Sequence, residues 1–155
     1  MSDSEIQFRI VDIVEGTSVD GPGLRTAIYF AGCDHHCPGC HNPQTWPHDA
    51  GHDMSLEELM SIIRIADFNV TLTGGDPIYQ AHKLKPLVEN IRKLGKTVWL
   101  YTGFTFNEIN NMESVKPWLK MIDTVVDGPF IEELRDTSLP FRGSSNQNII
   151  NIKDS

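Results

Sequence analysis

GCDHHCPGCHN, residues 32–42, is the stretch on which the reading of this chain turns. It carries all three cysteines of the 155-residue sequence, Cys33, Cys37 and Cys40, in the spacing C-x3-C-x2-C. An extracellular disulfide framework uses an even, dispersed set, so an odd cluster points to metal or redox chemistry. Soft thiolates select zinc, cuprous copper or iron–sulfur clusters. Zinc takes a fourth ligand, for which His35, His36 and His41 are candidates. A four-iron cluster normally takes four cysteines; with three, one iron keeps an open coordination position, as a catalytic cluster requires. Spacing alone leaves zinc and cluster both open, with inert loop thiols as the blandest alternative.

Outward from this loop the chain alternates strands and helices. β-branched and aromatic residues predict strands over 6–14 and 24–30, ahead of the cysteines. Ser55 followed by Glu58 is a capping-box pattern, and Leu56, Leu59, Ile62 and Ile63 continue it at helical spacing. Further strands are predicted over 69–73, 97–102 and 122–126, with a short one over 148–152. Helices are predicted over 80–94, closed by Gly95, and over 106–121, broken before Pro117. Such alternation predicts parallel βα units in a single α/β domain, 1–155, built as an open or partial (βα) barrel. The chain is well short of the roughly 250 residues of a complete eightfold barrel. The cysteine loop, Gly74-Gly75, Tyr101-Thr102-Gly103 and Asp127-Gly128 each follow a strand. In parallel sheets those positions share the carboxyl edge, where ligands bind. Glycines after strands also make ordinary turns, but four such turns beside a metal motif weigh against that reading.

Composition narrows the partners. The net charge of −8 disfavours nucleic acid and an anionic membrane surface. No apolar run approaches the roughly 20 residues of a membrane span. The amino-terminal MSDSEIQFRI lacks a basic region followed by an apolar core, so a cytoplasmic protein without a secretory signal is expected.

VDGPGLR (19–25), GCDHHCPGCHN (32–42) with Thr45 and Trp46, and TGGDP (73–77) together resemble the radical S-adenosylmethionine (SAM) superfamily. Within it they resemble the branch that activates glycyl radical enzymes. VDGPF (126–130), RGSSNQ (142–147) and the short length resemble the members of that branch that serve an anaerobic ribonucleotide reductase. The resemblance covers nearly the whole chain, with its motifs in order. It implies a partial barrel of the radical SAM type and a [4Fe-4S] cluster held by Cys33, Cys37 and Cys40. It implies SAM bound by Gly39, Cys40, His41, Gly74, Gly75 and Asp76. The implied activity is reductive cleavage of SAM to methionine and a 5′-deoxyadenosyl radical, which removes hydrogen from a glycine of the partner. The implied partners are the reductase large subunit, in a hetero-oligomer, and an electron donor such as a flavodoxin. Two positions depart from the pattern: Gly39 stands where many members have an aromatic residue, and Asp76 where many have Glu. No side chain is assigned a catalytic role.

Several residues admit two readings. Asp76 either accepts from the SAM ammonium or caps the helix after Pro77. Arg25 serves the cluster's charge or a structural pair. Tyr101 and Thr102 touch the adenosine, or Tyr101 simply packs. Trp46 covers the cluster or packs in a core or interface. Arg142, Ser144, Ser145 and Asn146 dock the partner, bind the cofactor or form a solvated loop. Two other functions compete. One is radical SAM chemistry on a small molecule, as in compact enzymes of deazapurine biosynthesis. The other is a zinc-stabilised adaptor, which would be colourless and iron-free.

Overall fold

Period-two alternation in Gln7–Thr17 buries Phe8 and Ile10 while Gln7 and Asp12 stay exposed, and this makes strand β1. The computed structural model describes residues 6–17, 23–33, 46–128, 131, 134 and 146–152. The other strands are β2 (Arg25–Phe30), β3 (His52–Ser55), β4 (Asn69–Gly74), β5 (Val98–Tyr101), β6 (Thr124–Asp127) and β7 (Asn148–Asn151). They form one sheet in the order β3-β1-β2-β4-β5-β6-β7. With β3 and β7 ending that order, the sheet is open among the described residues.

β2, β4, β5 and β6 are parallel, as the alternation predicts. Both edges add antiparallel strands to these parallel units: β1 and β3 on one side and β7 on the other. The connection from Thr17 to Arg25 is too short for a parallel crossover, which needs a dozen or more residues. β3 was not expected at all. Its sequence, HDMS, has no apolar alternation; it is a strand because Met54 and Asp53 fall opposite Phe8 and Arg9.

Helix α1 (Leu56–Ala66) starts in the expected capping box. Ser55 Oγ accepts from the Glu58 N–H at 3.1 Å, and Glu58 Oε1 accepts from the Ser55 N–H at 3.3 Å. The helix expected over 80–94 divides in two: a 3₁₀ helix (Pro77–Lys83), then α2 (Leu84–Lys93). Pro86 accounts for the division. It has no N–H and its ring clashes with the carbonyl four residues earlier, so regular α-helix begins no more than a few residues before it. The helix expected over 106–121 is likewise two short ones, α3 (Phe106–Asn110) and α4 (Lys116–Leu119). The break falls before Pro117, as expected, and Pro117 itself lies in the first turn of α4, where a missing N–H costs nothing.

The helices share one face of the sheet. Leu59, Ile63, Leu87, Ile91 and Trp118 join Phe8, Ile10, Ile28, Phe30, Leu72, Leu100 and Val125 in one buried core. Trp118 satisfies its indole N–H on the Ala81 and Ser114 carbonyls at 3.0 and 2.9 Å. By alternation and register the opposite face carries Arg25, Ala27, Thr71 and Trp99, a more polar set.

Replacing Ser55 with Ala removes the cap and leaves the Glu58 N–H without its acceptor. A loss of about 1 kcal/mol is expected in chemical denaturation. Leu59→Ala, which empties a fully buried site, is expected to cost about 2–5 kcal/mol on the same scale.

Candidate cluster and cofactor site

Parallel register brings the carboxyl ends of β2, β4, β5 and β6 to one edge, and each loop there bonds to the next. From the cysteine loop, Phe30 O accepts from the Gly75 N–H at 2.8 Å and Gly32 O from the Asp76 N–H at 2.8 Å. On the far side, the Thr102 N–H donates to Val126 O at 3.1 Å and the Gly128 N–H to Phe104 O at 2.9 Å. Gln147 Nε2 reaches Gly128 O at 3.0 Å. The four glycine turns singled out in the sequence therefore form one continuous rim.

Cys33 stands on this rim, three residues beyond β2. It is 7% exposed. The Cys33 N–H donates to Trp46 O at 3.0 Å, which closes the base of the loop between them. Cys37, Gly39, Cys40 and His41 lie outside the described residues, as do His35, His36, Arg142, Ser144 and Ser145. A single buried thiol at a ligand-binding edge, with two more on the same loop, fits the soft-donor chemistry of an iron–sulfur cluster. Half-buried Trp46 sits at the loop's base, beside Cys33.

Gly74 and Gly75 differ in what they do. Gly74 has φ +109°, and a Cβ there would run into the backbone of Phe30. Its lack of a side chain is required for the close approach of β4 to β2. Gly75 is part-exposed on the rim.

Asp76 is fully buried. Oδ1 accepts from the Ile78 N–H at 3.1 Å, the helix cap that the sequence suggested. Oδ2 accepts from the Thr102 hydroxyl and the Gly103 N–H, each at 2.9 Å. Thr102 Oγ1 in turn accepts from the Phe104 N–H at 3.1 Å. The Asp76 carboxylate thus ties the turn after β4 to the turn after β5, and the Thr102 hydroxyl is engaged in the same tie.

Two residues have roles that the sequence did not show: Asp127, singled out only as part of a turn, and Gln80. Asp127 Oδ2 accepts from the Phe106 N–H at 2.6 Å, and Oδ1 from the Asn148 N–H at 3.2 Å, joining β6 to α3 and β7. Buried Gln80 donates from Nε2 to Arg9 O and Ala31 O, both at 3.0 Å, and accepts from the Arg9 N–H at 3.0 Å. An amide set among Ile78, Tyr79 and Ala81 was the available signal. Three rings also line up beside the rim: His48 against Tyr79 at 5.3 Å, and Tyr79 against Phe104 at 5.5 Å between centroids.

Arg25 stands apart. It opens β2, at the amino edge, and the strand's five steps of about 3.3 Å carry its Cα some 17 Å from the end that leads to the cysteines. Its Nε donates to Thr71 Oγ1 at 2.9 Å, and Nη2 to Val70 O at 2.8 Å and Thr97 O at 3.2 Å. The guanidinium lies 5.8 Å from the Trp99 ring centroid. Burial pushes its pKa down to about 10, against the opposing influence of Asp123 and then Tyr101. The group stays charged at neutral pH, and its partners are structural.

Comparison with known proteins adds an independent line. The family model of the 4Fe-4S single cluster domain matches residues 19–150. The anaerobic ribonucleoside-triphosphate reductase-activating protein of Escherichia coli K12 is 35% identical over 157 aligned residues, 95% of this chain and 97% of that protein. The protein of the same name from Vibrio cholerae is 37% identical, covering 91% of this chain and 93% of its own. The counterpart from Enterobacteria phage T4 is 34% identical over 84% of this chain and 86% of its own. Among solved structures, QueE from Escherichia coli shares the fold, with a TM-score of 0.54 and 24% identity over 64% of this chain and 54% of that one.

The placement of Arg25 makes a sharp expectation. Arg25→Met removes donors from Val70, Thr71 and Thr97, so the denaturation midpoint should fall, by the equivalent of about 1–3 kcal/mol. Iron content after anaerobic reconstitution should equal that of the parent protein. A folded Arg25→Met protein that fails to hold iron would put Arg25 at the cluster after all.

Proposed function

The chain belongs to the family of anaerobic ribonucleoside-triphosphate reductase-activating proteins and carries its 4Fe-4S single cluster domain, and from that premise we propose how its residues divide the work of planting a glycyl radical on the reductase. It is a radical SAM enzyme whose cofactors are a [4Fe-4S] cluster and SAM. The reading is carried by one observation: a buried cysteine on the rim of a parallel sheet, directly after Gly32, whose carbonyl accepts from the turn that follows the next strand.

Cys33, Cys37 and Cys40 are the proposed cluster ligands. When bound, the cluster delivers the electron by which SAM is cleaved to methionine and a 5′-deoxyadenosyl radical. The backbone around Gly39, Cys40 and His41, with Gly74, Gly75 and the Asp76 main chain, is the proposed cradle for the methionine end. The Asp76 side chain supports that cradle from behind, because three donors already converge on its oxygens. It holds the methionine turn at a fixed distance from Tyr101 and Thr102, the turn proposed to face the adenosine. Fixed spacing matters because radical transfer depends on near-contact geometry between reacting atoms.

The open seven-stranded sheet with its four-strand parallel centre is the partial (βα) barrel proposed for this site. A chain this short encloses little beyond the SAM site, so the partner must close the mouth and keep water from the radical. The proposed partner is the reductase large subunit, the reductant a flavodoxin-like donor, and the setting cytoplasmic. Among the described residues no helix is long and apolar enough to cross a membrane.

The test combines the anaerobically reconstituted protein, SAM, a reductant and a cognate anaerobic reductase. A stable glycyl radical on the reductase should appear by electron paramagnetic resonance, with methionine and 5′-deoxyadenosine accumulating. Cys37→Ala should lose the cluster and the radical together. Gly75→Val should keep its iron and lose the SAM-induced change in the reduced-cluster spectrum. Turnover of a small molecule by a cluster-replete pair that forms no glycyl radical would defeat the assignment.

A further inference from the structure

Every amide of the segment that follows β5, residues 102–106, has an acceptor. The Thr102 N–H donates to Val126 O at 3.1 Å. The Gly103 N–H donates to Asp76 Oδ2 at 2.9 Å, and the Phe104 N–H to Thr102 Oγ1 at 3.1 Å. The Thr105 N–H donates to Glu108 Oε1 at 2.9 Å, and the Phe106 N–H to Asp127 Oδ2 at 2.6 Å. Backbone amides mostly bond to backbone carbonyls. Here three of the five acceptors are carboxylates, so the shape of this turn is set by the side chains around it.

Asp76 and Asp127 are the buried members of that set, at 0% and 5% exposure, and they hold opposite ends. Asp76 holds the start of the turn through the Thr102 hydroxyl and the Gly103 N–H. Asp127, at the end of β6, holds its far end through Phe106. The second oxygen of Asp127 accepts from the Asn148 N–H at 3.2 Å. Between the two acids, Phe104 O accepts from the Gly128 N–H at 2.9 Å. The turn is therefore suspended between the ends of β4 and β6.

We propose that Asp127 is a positioning residue for SAM: by anchoring the Phe106 amide it fixes where the turn after β5, with Tyr101 and Thr102, stands on the rim. The proposal rests on the reading that Tyr101 and Thr102 face the adenosine. The position calls for an acid, because both partners of Asp127 are backbone donors. An amide of the same shape would accept from one of them and turn an N–H group toward the other. The turn would then keep its anchor on Asp76 and lose the one at its far end. A turn held at one end only can pivot, and a small misplacement is enough to weaken a site built for a fixed geometry.

Asp123 supplies the control. It stands just before β6, as Asp127 ends it, about 13 Å away along the strand. It is also largely buried, with 13% of its side chain exposed. It accepts from the Val98 N–H at 2.8 Å and from Arg92 Nη1 at 2.6 Å, but at the amino edge of the sheet.

The experiment uses the full-length, anaerobically reconstituted protein. SAM binding is measured by equilibrium dialysis, and competition by methionine reports the amino-acid end of the site alone. Asp127→Asn should weaken SAM binding on the order of ten-fold, as loss of a charge-assisted hydrogen bond implies, and leave the methionine constant unchanged. Asp127→Glu, which keeps two acceptor oxygens, should fall between that variant and the parent. Asp123→Asn should lower the denaturation midpoint at least as much and leave both constants unchanged. Tyr101→Ala tests the reading beneath the proposal, and SAM affinity unchanged in that variant would overturn that reading. Loss of SAM affinity in Tyr101→Ala but not in Asp127→Asn would overturn the proposal alone. So would equal losses of SAM and methionine binding in Asp127→Asn, or the same loss of SAM binding in Asp123→Asn, since Asp127 would then act through general stability. If Asp127→Asn does not fold, the split between SAM and methionine must appear in Asp127→Glu, and its absence there overturns the proposal.

Discussion

The hydrogen bond from the Asp76 N–H to Gly32 O, 2.8 Å long, joins the loop that carries Cys33 to the turn that follows β4, and the order of the whole rim depends on that junction. Asp76 contributes its amide to one neighbour and its carboxylate to the other, where Thr102 and Gly103 donate to it. Ile78, Thr102 and Gly103 all donate to its side chain. An amide in place of the carboxylate would turn an N–H group toward one of them, so the junction calls for an acid. The same residue satisfies the first turn of the 3₁₀ helix through Ile78. Local capping and long-range spacing are therefore one interaction, and the side chain builds the rim.

What the sequence disclosed follows the range of the interactions. The capping box of Ser55 and Glu58, and the positive φ of Gly95 after α2, are local devices, and both stand where the residues predict them. The parallel centre was legible for the same reason, because strands followed by helices constrain one another through short connections. The failures lie where a residue's role is set by a partner far along the chain. β3 is a strand only through Phe8 and Arg9, more than 40 residues earlier. Gln80 binds backbone 71 positions away in β1 and 49 away at Ala31. Arg9, one basic residue in an ordinary strand pattern, offers no local sign that it will meet Asp49, Ala50 and Gly51.

Arg25 shows the opposite case, a motif position whose two readings the sequence left open and whose neighbourhood in sequence misleads. It lies eight residues before Cys33, yet a strand intervenes and carries the two toward opposite edges of the sheet. Its guanidinium instead bridges β4 and the start of β5 on the face away from the helices. That face, with Thr71 and Trp99 beside it, is polar enough to need such bonds, since a buried cation without acceptors is costly. Burial lowers its pKa to about 10, which measures the cost; the carbonyls of Val70 and Thr97 are what make the cost bearable.

Together these contacts describe a site whose rigidity is graded. The strand ends are fixed by ladder bonds, and the turns between them by buried side chains: Asp76, Gln80 and Asp127. On either side of the cysteine motif, Ala31 is held by Gln80 and the Arg9 backbone, Gly32 by Asp76 and Cys33 by Trp46, while the part-exposed guanidinium of Arg9 holds the carbonyls of 49–51. The charged fork of Arg9 on three carbonyls lies between the buried Asp76 junction and an unbonded surface turn. Its bonds are charge-assisted and so stronger than neutral ones, yet they are reached from solvent and can open without unfolding the sheet beneath.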